Sequence, residues 1–170
     1  LLAKNLIVKF KNKSSIKVFN KDVLKFNFEK ELKKNTIIFG NLPYNISSQI
    51  LVKLIKFQSW PPKYSDLILM FQKEMAQRIT GQFGTKTYGR LSIFSSYRLK
   101  LIKKFNVSPN CFFPKPKVIS TILHLKPKDR QLKIKNIENL EKITNILFSQ
   151  RRKIIKKSIK KIFKAESFNL

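Results

Sequence analysis

An α/β fold followed by a small all-α C-terminal domain is predicted by three features of this 170-residue chain. Short β-branched runs alternate with stretches of helical apolar spacing as far as residue 128, and beyond it the spacing is helical only. The composition, 42% hydrophobic and 12% aromatic, supplies material for a packed core and excludes a basic disordered tail.

Leu1, Leu2, Leu6, Ile7 and Phe10 fall near helical spacing with lysines between them, so a helix or its end opens the chain. Residues 15–20, Ser-Ile-Lys-Val-Phe-Asn, alternate and are β-branched, and Lys21 and Asp22 end that expected strand. Residues 36–40 form a second apolar run closed by Gly40. Ser47 is read as the cap of a helix presenting Ile50, Leu51, Leu54 and Ile55 on one face, and Trp60-Pro61-Pro62 breaks it before a strand over 66–72. Residues 73–80 read as helix, 81–88 as a polar loop containing Gly81 and Gly84, and 89–98 as helix again. Strands over 101–107 and 118–125 flank a proline-rich loop, 108–117.

The composition shifts after Pro127-Lys128-Asp129, which places a boundary near 128–136. The expected units are residues 1–128 and a basic helical unit over 129–170. In the latter Leu140, Ile143 and Leu147 make one stripe and Ile154, Ile155, Ile159, Ile162 and Phe163 another.

The chain carries 37 Lys and Arg against 9 Asp and Glu, a formal charge of +28. Such a charge attracts polyanions, nucleic acid first among them, although part of the excess is a habit of Lys-rich composition. Cys111 is the one cysteine and His124 the one histidine, so neither a disulfide framework nor a zinc site is expected. Both are read as packing residues. Apolar runs such as 67–71 are far shorter than the roughly 20 residues of a membrane span, and no signal-peptide layout is visible, so the expected setting is cytoplasmic.

The string that carries chemistry is Asn41-Leu42-Pro43-Tyr44, just after a strand ending in Gly40. The lone pair of an exocyclic base amine is delocalised into the ring, so transfer to that nitrogen needs acceptors that hold its hydrogens. The Asn41 side-chain oxygen and the Leu42 or Pro43 carbonyl suit that task, and Tyr44 can stack on the ring. On those four residues alone an ordinary turn is the simpler reading.

The wider series changes the balance. Asn41-Leu42-Pro43-Tyr44-Asn45-Ile46-Ser47-Ser48 precedes an amphipathic helix and is followed by Phe71-Gln72-Lys73-Glu74-Met75-Ala76-Gln77-Arg78. Then come Tyr88-Gly89-Arg90-Leu91-Ser92, Phe113-Pro114-Lys115-Pro116-Lys117-Val118 and Leu147-Phe148-Ser149-Gln150-Arg151-Arg152-Lys153. In order and spacing this resembles the small-subunit (16S) ribosomal RNA adenine N6,N6-dimethyltransferases of the KsgA/RsmA type, over about residues 15–161.

The resemblance implies a class I, Rossmann-like methyltransferase sheet and S-adenosyl-L-methionine as methyl donor. It implies a substrate as well: two adjacent adenines near the 3′ end of small-subunit rRNA, in the assembling subunit, with a monomeric enzyme and no membrane or metal. Asn41, Leu42, Pro43 and Tyr44 match the family's amine-binding motif. Asp22 matches the acidic residue that accepts from the cofactor's adenine amine, with Val23 beside that ring and Asn41 near the cofactor. Phe113 matches an aromatic near the target base, its alternative being a loop-anchoring core ring. Lys115, Lys117, Arg151 and Arg152 are candidates for phosphate contact, each weighed against a solvated surface role. Glu74 and Arg78, four apart, read as a surface ion pair.

The sequence also departs from the family. Its glycines are at 40, 81, 84 and 89, so no glycine-rich turn precedes Gly40, and no acidic residue precedes Asp22. The expected fold is therefore a partial sheet without its first two strands, inactive alone and poorly soluble. The rival readings are a noncatalytic RNA-binding or ribosome-assembly factor, a large-subunit rRNA resistance methyltransferase, and a membrane-surface protein led by the basic helix 151–164.

Overall fold

Two strands form the middle of the sheet, the first carrying the continuous apolar run 67–71 and the second apolar at Ile122, Leu123 and Leu125. In the computed structural model, which describes residues 2–129, 134, 136–149 and 159, these are β2 (Tyr64–Gln72) and β4 (Ser120–Pro127). β1 (Thr36–Asn41) lies parallel to β2, β4 lies antiparallel to β2, and β3 (Leu99–Val107) pairs antiparallel with β4, giving the order β1-β2-β4-β3. Parallel strands need a crossover, and α3 (Ser47–Ile55) supplies it.

The helical elements are α1 (Leu2–Lys9), the single turn α2 (Phe28–Glu31), α3, α4 (Lys73–Ile79), α5 (Arg90–Arg98) and α6 (Ile137–Phe148). Ile50, Leu51, Leu54 and Ile55 of α3 are all buried, as their spacing predicts. They meet Leu67, Leu69 and Phe71 of β2 and Leu123 and Leu125 of β4 in one core, which Ile137 of α6 joins. α6 is further tied by Lys56 Nζ–Glu141 Oε2 at 2.8 Å and by Arg90 Nη1 donating to Asn145 Oδ1 at 2.7 Å.

The C-terminus of α3 is held from three sides. Tyr64 Oη donates to Leu54 O at 3.1 Å, and Arg98 Nη1 donates to Ile55 O and Phe57 O, both at 2.6 Å. Burial pushes the Tyr64 phenol well above its ordinary pKa, so it stays a donor throughout the neutral range.

Four expectations are corrected. Residues 15–20 form no strand, because a strand needs a neighbour and none among the described residues pairs with this segment. It is held instead by the Lys17–Glu31 ion pair at 3.3 Å and by edge-to-face contacts of Phe26 with Phe19 and Phe28, each at 5.0 Å. Ser47 is the first helical residue and not the cap: Ile46 occupies the cap position with no side-chain bond. Cys111 is exposed in a short 3-10 turn (Pro109–Cys111), where no core is available to it. His124 has a polar partner, since its Nε2 lies 2.6 Å from Asp66 Oδ1 on the neighbouring strand, with Lys126 Nζ at 3.5 Å. The Glu74–Arg78 pair is present at 2.5 Å. Among the described residues no helix is long and apolar enough to cross a membrane, and no group of three or more His, Cys, Asp or Glu could hold a metal.

The His124 hydrogen bond, opposed by partial desolvation and helped by Ser65 and Lys126, holds the Asp66 carboxyl below its ordinary pKa. A carboxyl whose folded-state pKa is depressed stabilises the fold above its unfolded value, and that contribution is lost as pH falls through the folded value. Urea denaturation between pH 5 and pH 3 is expected to show a falling midpoint that Asp66→Asn flattens. With only 9 acidic residues in the chain the background from other carboxyls is small. An identical pH dependence in the variant overturns the assignment.

β1 is an edge strand, and its alternation leaves Ile37 and Phe39 exposed, the latter at 73%. An edge with free backbone groups and apolar side chains templates association. Light scattering of this chain is expected to show self-association that Phe39→Lys reduces; an unchanged apparent mass in the variant sinks the edge as its cause.

Candidate active site

β1 delivers the motif. Gly40 stands opposite Leu69 and Asn41 opposite Met70, so the motif leaves the sheet at the end of its edge strand, beside the end of β2. A Cβ on Gly40 would meet Leu69 Cδ2 at 2.7 Å and Leu42 Cδ2 at 2.8 Å. Leu69 is fully buried, so a side chain at this position would have to push both leucines aside, which favours glycine.

After Asn41 the chain turns at once into α3. Ile46 N–H donates to Pro43 O at 3.1 Å, and Ser47 Oγ donates to Tyr44 O at 3.0 Å. These bonds engage the Pro43 and Tyr44 carbonyls with the helix start. Asn41 remains exposed. The Tyr44 hydroxyl lies 2.6 Å from Ser120 Oγ, at the fully buried first residue of β4, which fixes the ring against the far end of the proline-rich loop.

That loop brings Phe113 to the motif. Asn41, Leu42, Pro43 and Tyr44 share a cleft of about 260 Å³ with Met70 and with Phe112, Phe113, Pro114 and Pro116. The volume lies below the range of about 300–1,000 Å³ typical of drug-sized sites and suits one small planar group. Phe113 is 102% exposed, so it is no loop anchor; Phe112 is the half-buried ring of the pair. Lys115 and Lys117 are exposed, alternating with Pro114 and Pro116.

Asp22 and Val23 do not line this cleft. Asp22 Oδ1 accepts from Leu24 N at 2.8 Å, while Val23 and Leu24 pack partly against the core, and Lys53 of α3 donates to Leu24 O. Arg151 and Arg152 lie outside the described residues. Sequence reasoning missed Ser120, Met70 and Phe112. Nothing local marks Ser120, because its partner is 76 positions away. Met70 was readable only as one more apolar strand residue.

A family model described as ribosomal RNA adenine dimethylase matches residues 1–169. A curated relative from Pelagibacter ubique, ribosomal RNA small subunit methyltransferase A, is 44% identical over 158 residues, covering 93% of this chain and 60% of its own length. Among solved structures, a dimethyladenosine transferase from Plasmodium falciparum superposes with a TM-score of 0.74 at 32% identity, over 92% of this chain and 54% of that one. The 23S rRNA methyltransferase ErmE gives 0.66 at 25% identity, over 94% and 62%. The chain thus spans between half and two thirds of the length of these proteins.

Proposed function

The chain belongs to the ribosomal RNA adenine dimethylase family, and from that premise we propose that it is the substrate-amine half of a methyltransferase that dimethylates N6 of two adjacent adenines in small-subunit rRNA. In this reading residues 1–128 belong to the methyltransferase domain and residues 129–170 form a basic helical domain. The observation that carries it is the single cleft joining Asn41, Leu42, Pro43 and Tyr44 to Phe113. Greater identity to the small-subunit enzyme than to ErmE favours the small over the large subunit as substrate.

The target base enters the cleft flipped from its strand, since its amine is otherwise buried in stacking. Tyr44, its hydroxyl held at Ser120, offers a fixed ring face, and the exposed Phe113 ring offers another surface. Asn41 Oδ1 accepts one amine hydrogen. Pro43 O already accepts from Ile46 N–H, so the Leu42 carbonyl is taken as the second acceptor. With both hydrogens held, the nitrogen lone pair turns out of the ring plane and is aimed for in-line attack. The extra proton on nitrogen after transfer leaves to water, so no group of shifted pKa is required. Lys115 and Lys117 contact flanking phosphates, and Arg151 and Arg152 carry the same role from the C-terminal domain.

S-adenosyl-L-methionine, when bound, supplies the electrophilic methyl group. The residues here fit its adenine end: one Asp22 oxygen accepts from Leu24 N–H, and the other can accept from the cofactor's adenine amine, with Val23 beside the ring. Asn41 would face its reactive end. No glycine-rich turn for the methionine part occurs before Gly40 in this chain.

The test is transfer of labelled methyl groups by a family-length protein carrying this chain, offered small-subunit or large-subunit particles. Label confined to small-subunit adenine carries the reading. Label in large-subunit rRNA alone, or RNA binding without any transfer, overturns it.

A further inference from the structure

A second cleft, larger than the first, lies on the other side of the α3 start. It encloses about 620 Å³ between α3, α4, α5, α6 and the 81–89 loop. Ser48 and Gln49 line it, while Pro43 and Tyr44 line the amine cleft, so at most about 14 Å of chain links Tyr44 to Ser48. One or two nucleotide steps cover that span.

Its chemistry is that of a nucleotide site. Val52, Met75, Leu91, Phe94 and Phe148 give an apolar lining with a thioether and two rings, suited to the face of a base. Arg78, Lys86 and Arg90 bring cations to the same cleft. Its two carboxylates are already matched, Glu74 to Arg78 at 2.5 Å and Glu141 to Lys56 at 2.8 Å. The Arg90 guanidinium is steadied by Asn145 at 2.7 Å, which orients a planar donor for phosphate.

We propose that this cleft receives the nucleotide adjoining the target adenine, base against Met75 and Phe148 and phosphate against Arg90, while the target base occupies the cleft at Asn41. The assignment rests on the amine-cleft reading above. It gives the enzyme a way to hold two neighbouring nucleotides apart, one presented for chemistry and one parked.

The two methionines of the chain make the test direct, because Met70 lines the amine cleft and Met75 the second one. Methyl-¹³C-methionine protein is titrated with AMP, with a short single-stranded oligoadenylate and with inorganic polyphosphate. AMP is expected to shift Met70, oligoadenylate to shift both signals, and polyphosphate to leave Met75 in place. Arg90→Ala is expected to weaken the Met75 response about tenfold while an unmoved Met70 position reports an intact fold. If oligoadenylate shifts Met70 alone, the second cleft is not a nucleotide site and the amine-cleft reading stands. If it shifts Met75 alone, the reading at Asn41 fails and the parking role goes with it. A Met75 shift of equal size with polyphosphate assigns the cleft to a bare anion and overturns the proposal, as does silence at both signals.

Discussion

Replacing Asn41 with Ala in a family-length protein lowers methyl transfer by about 10²–10³-fold, the loss expected when one pre-aligned hydrogen-bonding group at the reacting centre is removed. The fold survives, because Asn41 is exposed at the end of β1 and no core contact depends on it. Affinity for rRNA changes by no more than about twofold, since phosphate contacts supply most of it. The loss falls on kcat more than on KM, because the amine hydrogens are held most tightly as the lone pair commits to attack. Asn41→Asp keeps an acceptor oxygen and retains more activity than the alanine variant. Single-turnover transfer to small-subunit particles, with filter binding alongside, separates these terms. A kcat within tenfold of the parent for Asn41→Ala shows that another acceptor does the work.

The site's near half was legible because it is written locally. A strand ending in glycine, Asn-Leu-Pro-Tyr and a helix follow one another within twenty residues, and each step has a backbone reason: close approach at Gly40, a turn at Pro43, burial of Leu51 and Leu54. The strand at 64–72 was legible for a local reason too, since a central strand covered on both faces reads as an apolar run, and those at 36–41 and 120–127 were legible from short β-branched runs bounded by turn residues. What failed depends on partners distant in sequence. Residues 15–20 have the alternation of a strand, yet alternation cannot supply a neighbour to bond with. His124 looked inert because Asp66 is 58 positions away, and only the β2–β4 register joins them. Ser120 holds Tyr44 across 76 positions. For Phe113 two readings were open, and full exposure of the ring removes the loop-anchoring one.

The largest stability effect is expected at Arg98, far from the chemistry. Its side chain is buried, and among the described residues no carboxylate pairs with it. Desolvation opposes its charge and lowers its pKa, with Tyr97, Tyr64 and Glu29 pulling the other way. The charge is tolerated because the guanidinium sits where α3 ends, giving two hydrogen bonds to the orphan carbonyls of Ile55 and Phe57 and lying 4.5 Å from the Trp60 ring centroid. Arg98→Ala strips donors from both carbonyls and leaves a void beside Trp60, for a cost of about 3 kcal/mol. For a chain of this length that is a fall of roughly 10 °C in Tm. Arg98→Met sharpens the point, because it keeps most of the volume and removes the buried charge. If the charge were merely a burden, methionine would match or exceed the parent; with two helix-terminal carbonyls left unpaired it is expected to lose most of what alanine loses. Arg98→Lys falls between, since one ammonium cannot reproduce both the forked donors and the guanidinium contact with the Trp60 ring. Thermal melts of the three variants check the order, and a methionine variant as stable as the parent shows that the carbonyls find other donors. The order also bears on function. α3 starts three residues after Tyr44, so a helix frayed at its C-terminal end loosens the element that holds Tyr44 and Ser47 in register with β4.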